Sequence, residues 1–591
     1  MSRPSRSSPP PLAPYLLSAA LILGLALAAA SLAPAGLDRL RRHLAASLTE
    51  TLGLETRLGG FRLSLTGPRL TLEEVDLLAP GDPVPQIHLR RLHLDLDLWA
   101  SLRQGSPQVT GITLEGSRLR LERDKDGRLS LADLPGGADL GAGPALGVFL
   151  ARGRLRLQDG EIEWRDQGAQ AQPLVLSEVR IDFDNAGADH LIHLQARLAA
   201  DPATRLRLTA HLQGEAASPG DWAGQIHLQW RGGDLGPLTA GRLPASLRIT
   251  SERVALDSWH RVQDSRLVDG LARLEVQGLD LQGLIPGQGP SRLAARRITL
   301  DLALDPASGR ILTRGEGVRL ELPWLLGDRP PIQVERLNGP LTWQGDGAGG
   351  TRLAAEALEA VNPDLRLRLR FDLHLPAHPA GQGPELDLQA EILSANATAI
   401  RDYLPDAKLK PRLRDWLERA FPAGRIPMGL VLFRGPLAAF PFRQGEGQFH
   451  CLLGVEAMGL NFHPDWPPLE GFDGFVHFHN QAMNIVTTGG KILGFPLLAV
   501  QARIPDLGDA RSIQVRGQAQ GDFAQGLVFL QETPLKRRLG AIPGLFTAEG
   551  QVHVDLDLDI PLAKGHPEHQ LRLAGTLSWP GAAGLTLAGA D

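Results

Sequence analysis

The chain has 591 residues, 43% of them hydrophobic and 21% charged, which excludes a disordered polymer and exceeds what one core can hold. Its net charge is −5 with no long basic run, which weighs against a nucleic-acid partner. A lone cysteine, Cys451, excludes an internal disulfide and leaves the redox compartment unread.

Residues 1–14 form a polar, Pro-rich leader. Tyr15 to Ala33 follow without a charge. As a helix at ~1.5 Å per residue they span roughly 28 Å, about one hydrocarbon core, so 15–33 is predicted to be a transmembrane helix. A cleaved signal peptide ending near Ala33-Pro34-Ala35 is the competing reading. The length of the apolar run and the unbroken pattern after it favour the uncleaved anchor. Flanking basic residues do not decide its orientation. Residues 34–56 read as a juxtamembrane helix, with Leu37, Leu40, Leu44, Leu48 and Leu52 on one face.

From Arg57 the hydrophobic period becomes two. Ile87–Leu102 reads as one long strand, with Leu92, Leu94, Leu96 and Leu98 on one face and His93, Asp95, Asp97 and Trp99 on the other. Similar runs recur at Ser117–Leu121, Arg154–Leu157, Arg205–Leu208, Ser291–Leu304, Leu365–Leu375 and Val552–Leu562. Turn signals separate them, among them Asp124-Lys125-Asp126-Gly127 and Asp305-Pro306. Leu alternating with Arg, Asp or His gives a mainly β, antiparallel fold whose strands have one apolar face. Alternation alone fits both closed sandwiches and one long sheet curled into a trough. Pro411–Phe421 is the strongest later helix, with Leu413, Trp416, Leu417, Ala420 and Phe421 on one face.

Candidate chemistry is sparse. Gly345, Gly347 and Gly350 match G-x-G-x-x-G before a helix-like RLAAEALEA, but no βαβ series surrounds them, so a glycine-rich hairpin loop is the better reading. His477 and His479 share a strand face, with His450, Cys451 and His463 nearby in sequence. No second motif completes a metal site, so the pair is read as structural. Asp555, Asp557 and Asp559 alternate with an apolar face and read as its solvated side. No catalytic constellation, metal site or cofactor motif is predicted.

The stretch Asp402–Leu539 resembles the central region of the YhdP-type proteins of the AsmA-like superfamily. The resemblance rests on Tyr403-Leu404-Pro405, Trp416–Phe421, Gly435-Pro436, Phe440-Pro441-Phe442, Asp465-Trp466-Pro467, Phe495-Pro496, Ile504–Leu507 and Thr533-Pro534-Leu535, in that order. The N-terminal third is similar too, with one membrane helix and then Leu-rich strands and Gly111-Ile112, Gly116 and Asp126-Gly127. Members of that family are longer, so this chain is expected to be an N-terminal portion. The resemblance implies one N-terminal transmembrane helix followed by a long, twisted antiparallel β-sheet trough with a few short helices. Residues 57–396 would form the N-terminal part of the groove and 397–591 its central region. The resemblance further implies a non-enzyme in a bacterial inner membrane, N-terminus cytoplasmic and bulk periplasmic. It would carry phospholipid toward the outer membrane, which a missing C-terminal part would reach, with unidentified envelope proteins as further partners. Leu92, Leu94, Leu96, Leu98, Leu365, Leu367 and Leu369 are the expected lipid-facing residues. The alternative is a non-enzymatic periplasmic scaffold, or outer-membrane assembly factor, built of closed β domains.

Overall fold

Leu alternating with a polar residue folds as strand, and the chain is mainly β with few helices. The computed structural model describes residues 38–587, apart from 50–54, 79–86, 124–128, 132–137, 140–152, 167–172, 216–220, 240–246, 377–382, 541–544 and 563–571 and shorter stretches of one to four residues. The predicted anchor at 15–33 lies outside the described residues. Among those described, no helix is long and apolar enough to cross a membrane. The described helical residues between 38 and 49 fall within the segment 34–56 read as a juxtamembrane helix, but strand begins at Glu55, two residues before the predicted change of period.

Two units divide the chain, residues 1–276 with 303–306 and residues 277–302 with 307–591. In the first, β1 (Glu55–Ser64), β2 (Arg69–Leu78), β3 (Ile87–Leu96) and β4 (Val109–Glu115) pair as an antiparallel meander. Short strands β5 (Arg118–Arg123), β6 (Leu129–Leu131) and β7 (Ala138–Asp139) follow. β8 (Arg154–Asp166) then pairs with β4 and β5 in parallel, a departure from the all-antiparallel expectation. The meander resumes through β9 (Leu174–Ala186), β10 (Asp189–Leu198), β11 (Asp201–Gln213) and β12 (Ala223–Gly232). After β13 (Arg248–Thr250), β14 (Arg253–Gln263) pairs with β12.

The predicted strand Ile87–Leu102 is corrected. β3 stops at Leu96, and Leu98–Gln104 is a helix, α1. Asp97 turns the chain: its carboxylate accepts from the Ala100 backbone N–H at 2.8 Å, an oxygen cap on the helix start. Leu98 is therefore off the strand and 38% exposed.

β15 (Arg266–Gln282) and β16 (Arg292–Asp305) each have residues in both units. The second unit continues with β17 (Ser308–Glu321), β18 (Ile332–Gly345), β19 (Thr351–Val361), β20 (Leu365–Leu375), β21 (Glu385–Asn396) and β22 (Arg425–Pro436). Next are β23 (Gln448–Leu460), β24 (Leu469–His479), β25 (Ala482–Thr488), β26 (Lys491–Ile492), β27 (Phe495–Ile504) and β28 (Ser512–Asp522). Finally come β29 (Phe546–Glu549), β30 (Gln551–Pro561), β31 (Arg572–Ser578) and β32 (Gly584–Leu587). From β17 to β25 each strand pairs antiparallel with the next, and the ladder goes on through β27, β28, β30 and β31. β26 is a short hairpin arm, and β29 with β32 forms a separate small ladder. RLAAEALEA, helix-like in sequence, lies in β19.

Two longer helices interrupt this unit. α2 (Pro411–Ala420) lies between β21 and β22, one residue shorter than predicted, with proline at its first position. α3 (Phe523–Glu532) follows β28, and the Asp522 carboxylate caps it by accepting from the Ala524 N–H at 2.8 Å.

Candidate functional site

Side chains alternate between the two faces of a strand, so a slip of one residue on any strand would break an apolar stripe. In the first unit the register keeps two stripes intact. One runs from Leu63 on β1 through Leu70, Leu94, Ile112, Leu155, Phe183, Ile192 and Ala210 to Ile226 on β12. Two residues along lie Phe61, Leu72, Leu92, Leu114, Leu157, Ile181, Leu194, Leu208 and Leu228. Between them, on the opposite face, runs Arg62, Thr71, His93, Thr113, Arg156, Asp182, His193, Thr209 and His227. That polar face carries ion pairs such as Arg69–Asp95 at 2.6 Å and Arg156–Asp182 at 3.0 Å. Such exposed pairs contribute at most about 1 kcal/mol each, so they set register more than stability.

In the second unit one stripe crosses thirteen strands. It runs Gly315, Leu337, Ala360, Leu367, Ile392, Gly429, Leu453, Val476, Ile485, Ala502, Val515, Leu558 and Leu573. Gly429 does not open a gap, because a Cβ there would lie 2.9 Å from a Leu453 methyl and 3.1 Å from one of Ile392. On the other face Arg368 bridges Glu359 at 3.1 Å and Glu391 at 3.4 Å.

The stripes stay in phase because backbone irregularities correct them. Glu74, Asp159, Glu178 and Ala457 all have φ between 47° and 49°, a left-handed conformation that side chains rarely adopt. Each sits where inward-facing residues are three apart, as in Leu72-Val75, Leu176-Val179 and Val455-Met458. The added residue returns the next apolar side chain to the same face.

Cover over the apolar face is uneven. In the second unit α2, α3 and the loop bearing Trp466 lie on the face of β23 to β30. Val476, Met483, Ile485, Ile504, Leu558 and Ile560 are buried beneath them. The Trp416 indole N–H donates to the Phe462 carbonyl at 3.0 Å and fixes α2 there. On β20 and β21, by contrast, Leu365, Leu367, Leu369, Phe371 and Leu388 remain half-buried. In the first unit Leu44, Ala45 and Leu48 pack against the cluster of Leu72, Leu89, Leu92 and Ile112.

Arg329 ties α2 to the sheet. Its guanidinium meets Asp406 at 2.7 Å and also pairs with Glu418 of α2, with side chains of Arg329 and Asp406 only 12% and 10% exposed. These bonded carboxylates raise the Arg329 pKa against the opposing pull of burial, the largest influence on it. Asp406→Ala is expected to cost about 2–3 kcal/mol, the lower end for a buried pair because Glu418 stays, measured as a shift in the denaturation midpoint.

The predicted residues divide. Leu92 is core, 6% exposed, while Leu94 and Leu96 share its face and are half-buried. Leu365, Leu367 and Leu369 all lie on the apolar face of β20, flanked by exposed Arg366, Arg368 and Arg370. The glycine-rich segment is the β18–β19 hairpin, where the Gly350 N–H donates to Asp346 at 2.8 Å. Asp557 pairs with Arg516 at 3.1 Å on the polar face. Sequence reasoning named Phe440 and Phe442 but missed that they cluster with Phe433 and Phe449, ring centroids 5.1 to 5.9 Å apart. Their signal was the density of phenylalanine around residue 440.

Comparison with known proteins adds an independent line. A family model described as YhdP protein matches residues 12–303 and 295–582. The "Intermembrane phospholipid transporter YhdP" of Escherichia coli (strain K12) is 26% identical over 247 residues, 41% of this chain. That match spans 19% of the relative's length. No solved structure matches.

Proposed function

This chain belongs to the YhdP family, and we propose from that premise that it carries phospholipid between envelope membranes along its apolar sheet face. In this reading residues 15–33 anchor it in the inner membrane, the strands curl into a periplasmic trough, and lipid moves toward the outer membrane. The protein catalyses no reaction. The observation that carries the proposal is the register: apolar rows continue across nine strands of one unit and thirteen of the other.

The chemistry follows from transfer energies. Moving a diacyl lipid through water exposes about thirty methylenes at ~0.8 kcal/mol each, on the order of 20 kcal/mol. A continuous apolar face lowers that barrier along the route, while headgroups stay wet. It needs no shaped pocket, which suits rows of Leu, Ile, Val and Ala. The G-x-G-x-x-G match is a hairpin loop and the sequence carries no Walker loop, so in this reading direction comes from a lipid gradient or a partner.

The test is residue-resolved photo-crosslinking in cells, with the reactive amino acid at Leu367, Arg368 or Ile485. Phospholipid adducts are expected at Leu367, on the half-open face, and absent at Arg368, on the other. Ile485, 4% exposed in the core cluster to which α2 and α3 contribute, is expected to stay unlabelled while the helices remain seated. No adduct at Leu367 in a folded, membrane-bound protein would overturn lipid carriage and favour the closed scaffold.

A further inference from the structure

The polar face of the second unit carries cross-strand charge pairs: Arg368 with Glu359, Arg434 with Asp387, and Arg516 with Asp557. Between them, on β22 to β25, the same face turns apolar. Met428, Leu430, Leu452, Phe475 and Val486 are 39% to 60% exposed and adjoin one another in the ladder. Each is one residue away from Gly429, Leu453, Val476 or Ile485 of the thirteen-strand stripe, and so faces the other way.

Two ladder rows build this patch. One is Met428, Gly454, Phe475 and Val486. The other is Glu391, Leu430, Leu452, His477, Asn484 and Arg503, from β21 to β27. This second row is acidic at one end and basic at the other. Glu391 and Arg503 each lie on the third strand from the line between β23 and β24. Arg503 is exposed, and no carboxylate pairs with it among the described residues.

We propose that this patch joins a second copy of the chain about a two-fold axis running along the strands between β23 and β24. Both rows map onto themselves, reversed, about that line. The axis sets Phe475 of each copy over the other's Gly454, the one position of its row without a side chain, and Met428 over Val486. It also sets Glu391 of each copy against the other's Arg503, so the charge pair forms twice, as a self-complementary contact requires. Opposite charges at equal distances from one line are what a copy of the same surface matches. Two sheets packed face to face in this way keep their strands within about 30° of each other. The size fits as well. Five such side chains exposed to this degree offer roughly 450 Å², at the large end of patches on single chains. A stable interface takes about 800 Å² from each partner, a little over half of it apolar. The patch supplies that apolar share, and His477, Asn484, Gln501 and the two end charges border it.

The test is photo-crosslinking between two differently tagged full chains in one cell, with a benzophenone side chain in place of Phe475. A covalent adduct carrying both tags is expected. Glu391→Arg and Arg503→Glu should each cut its yield about tenfold or more, because each variant sets like charges against each other twice. The double variant Glu391→Arg/Arg503→Glu should restore the yield, which a misfolded chain would not do. Circular dichroism of the purified variants, at concentrations low enough for mass action to separate the copies, shows whether each folds. No adduct carrying both tags, an adduct only with a different protein or with lipid, or a yield indifferent to both single variants would overturn the contact. The readout is chain to chain, so it stands or falls apart from lipid carriage.

Discussion

Under the proposed carriage of lipid along the apolar face, Leu367→Asp is expected to cut delivery sharply while leaving the fold intact. Leu367 lies within the thirteen-strand stripe, between Ala360 and Ile392, and is half-buried. A carboxylate there stays hydrated, so the protein tolerates it. An acyl chain sliding past must either displace that water or lift off the face. Stripping even a neutral polar group without a partner costs about 2–7 kcal/mol, and a charge more. Delivery of newly made phospholipid to the outer membrane, followed by pulse labelling, should fall by more than about tenfold, since each 1.4 kcal/mol is one decade. Arg366→Asp, one residue away on the exposed face, should leave delivery unchanged. Equal loss in both variants would mean that the two faces do not differ in function. Normal delivery in Leu367→Asp would mean that this stripe is not the route.

Phe472→Ala is expected to cost about 3–5 kcal/mol of stability, more than breaking the Arg329–Asp406 pair. Phe472 is 1% exposed and pairs with buried Met458 in the core cluster of the second unit. Its surroundings cannot close over the hole. Gly490 already approaches so closely that a Cβ there would be 2.9 Å from the Phe472 Cβ, and the strands on either side are held by their ladders. A loss of that size rivals a domain's whole stability margin of about 5–15 kcal/mol, so the urea midpoint should move far to the left. Phe475→Ala, three residues on but 50% exposed on the polar face, should cost under about 1 kcal/mol. Comparable losses would contradict the assignment of faces on β24.

Alternation made much of this fold legible. Leu365, Leu367 and Leu369 sit where the period of two placed them, and the strand limits Leu365–Leu375 coincide with the sequence reading. α2 was equally plain, because proline, an amphipathic face and a second proline mark its ends. What stayed hidden has a physical cause. Leu72-x-x-Val75 has a helical spacing, yet a left-handed Glu74 makes it strand. Leu98 continues the Leu alternation of β3, but the Asp97 cap starts a helix instead. Parallel pairing of β8 with β4 joins segments about forty residues apart and leaves no local trace. The contact of His450 with His477 and His479 was half visible: the H-x-H pair showed in sequence, but His450 joins it only through the β23–β24 register.

The ladder from β17 to β25 has a kinetic meaning. Every strand there bonds to the strand made just before it, so contact order is low and loop-closure entropy is small at each step but the one from β21 to β22, which α2 interrupts. A nascent chain can add strands one at a time, each docking on an edge already formed. β8 breaks that rule, because the β4 edge must wait through the whole excursion of β5 to β7. Until it arrives, an unpaired apolar strand edge is open to the wrong neighbour. Chaperone dependence during synthesis should therefore be greater at this junction than within the β17 to β25 ladder.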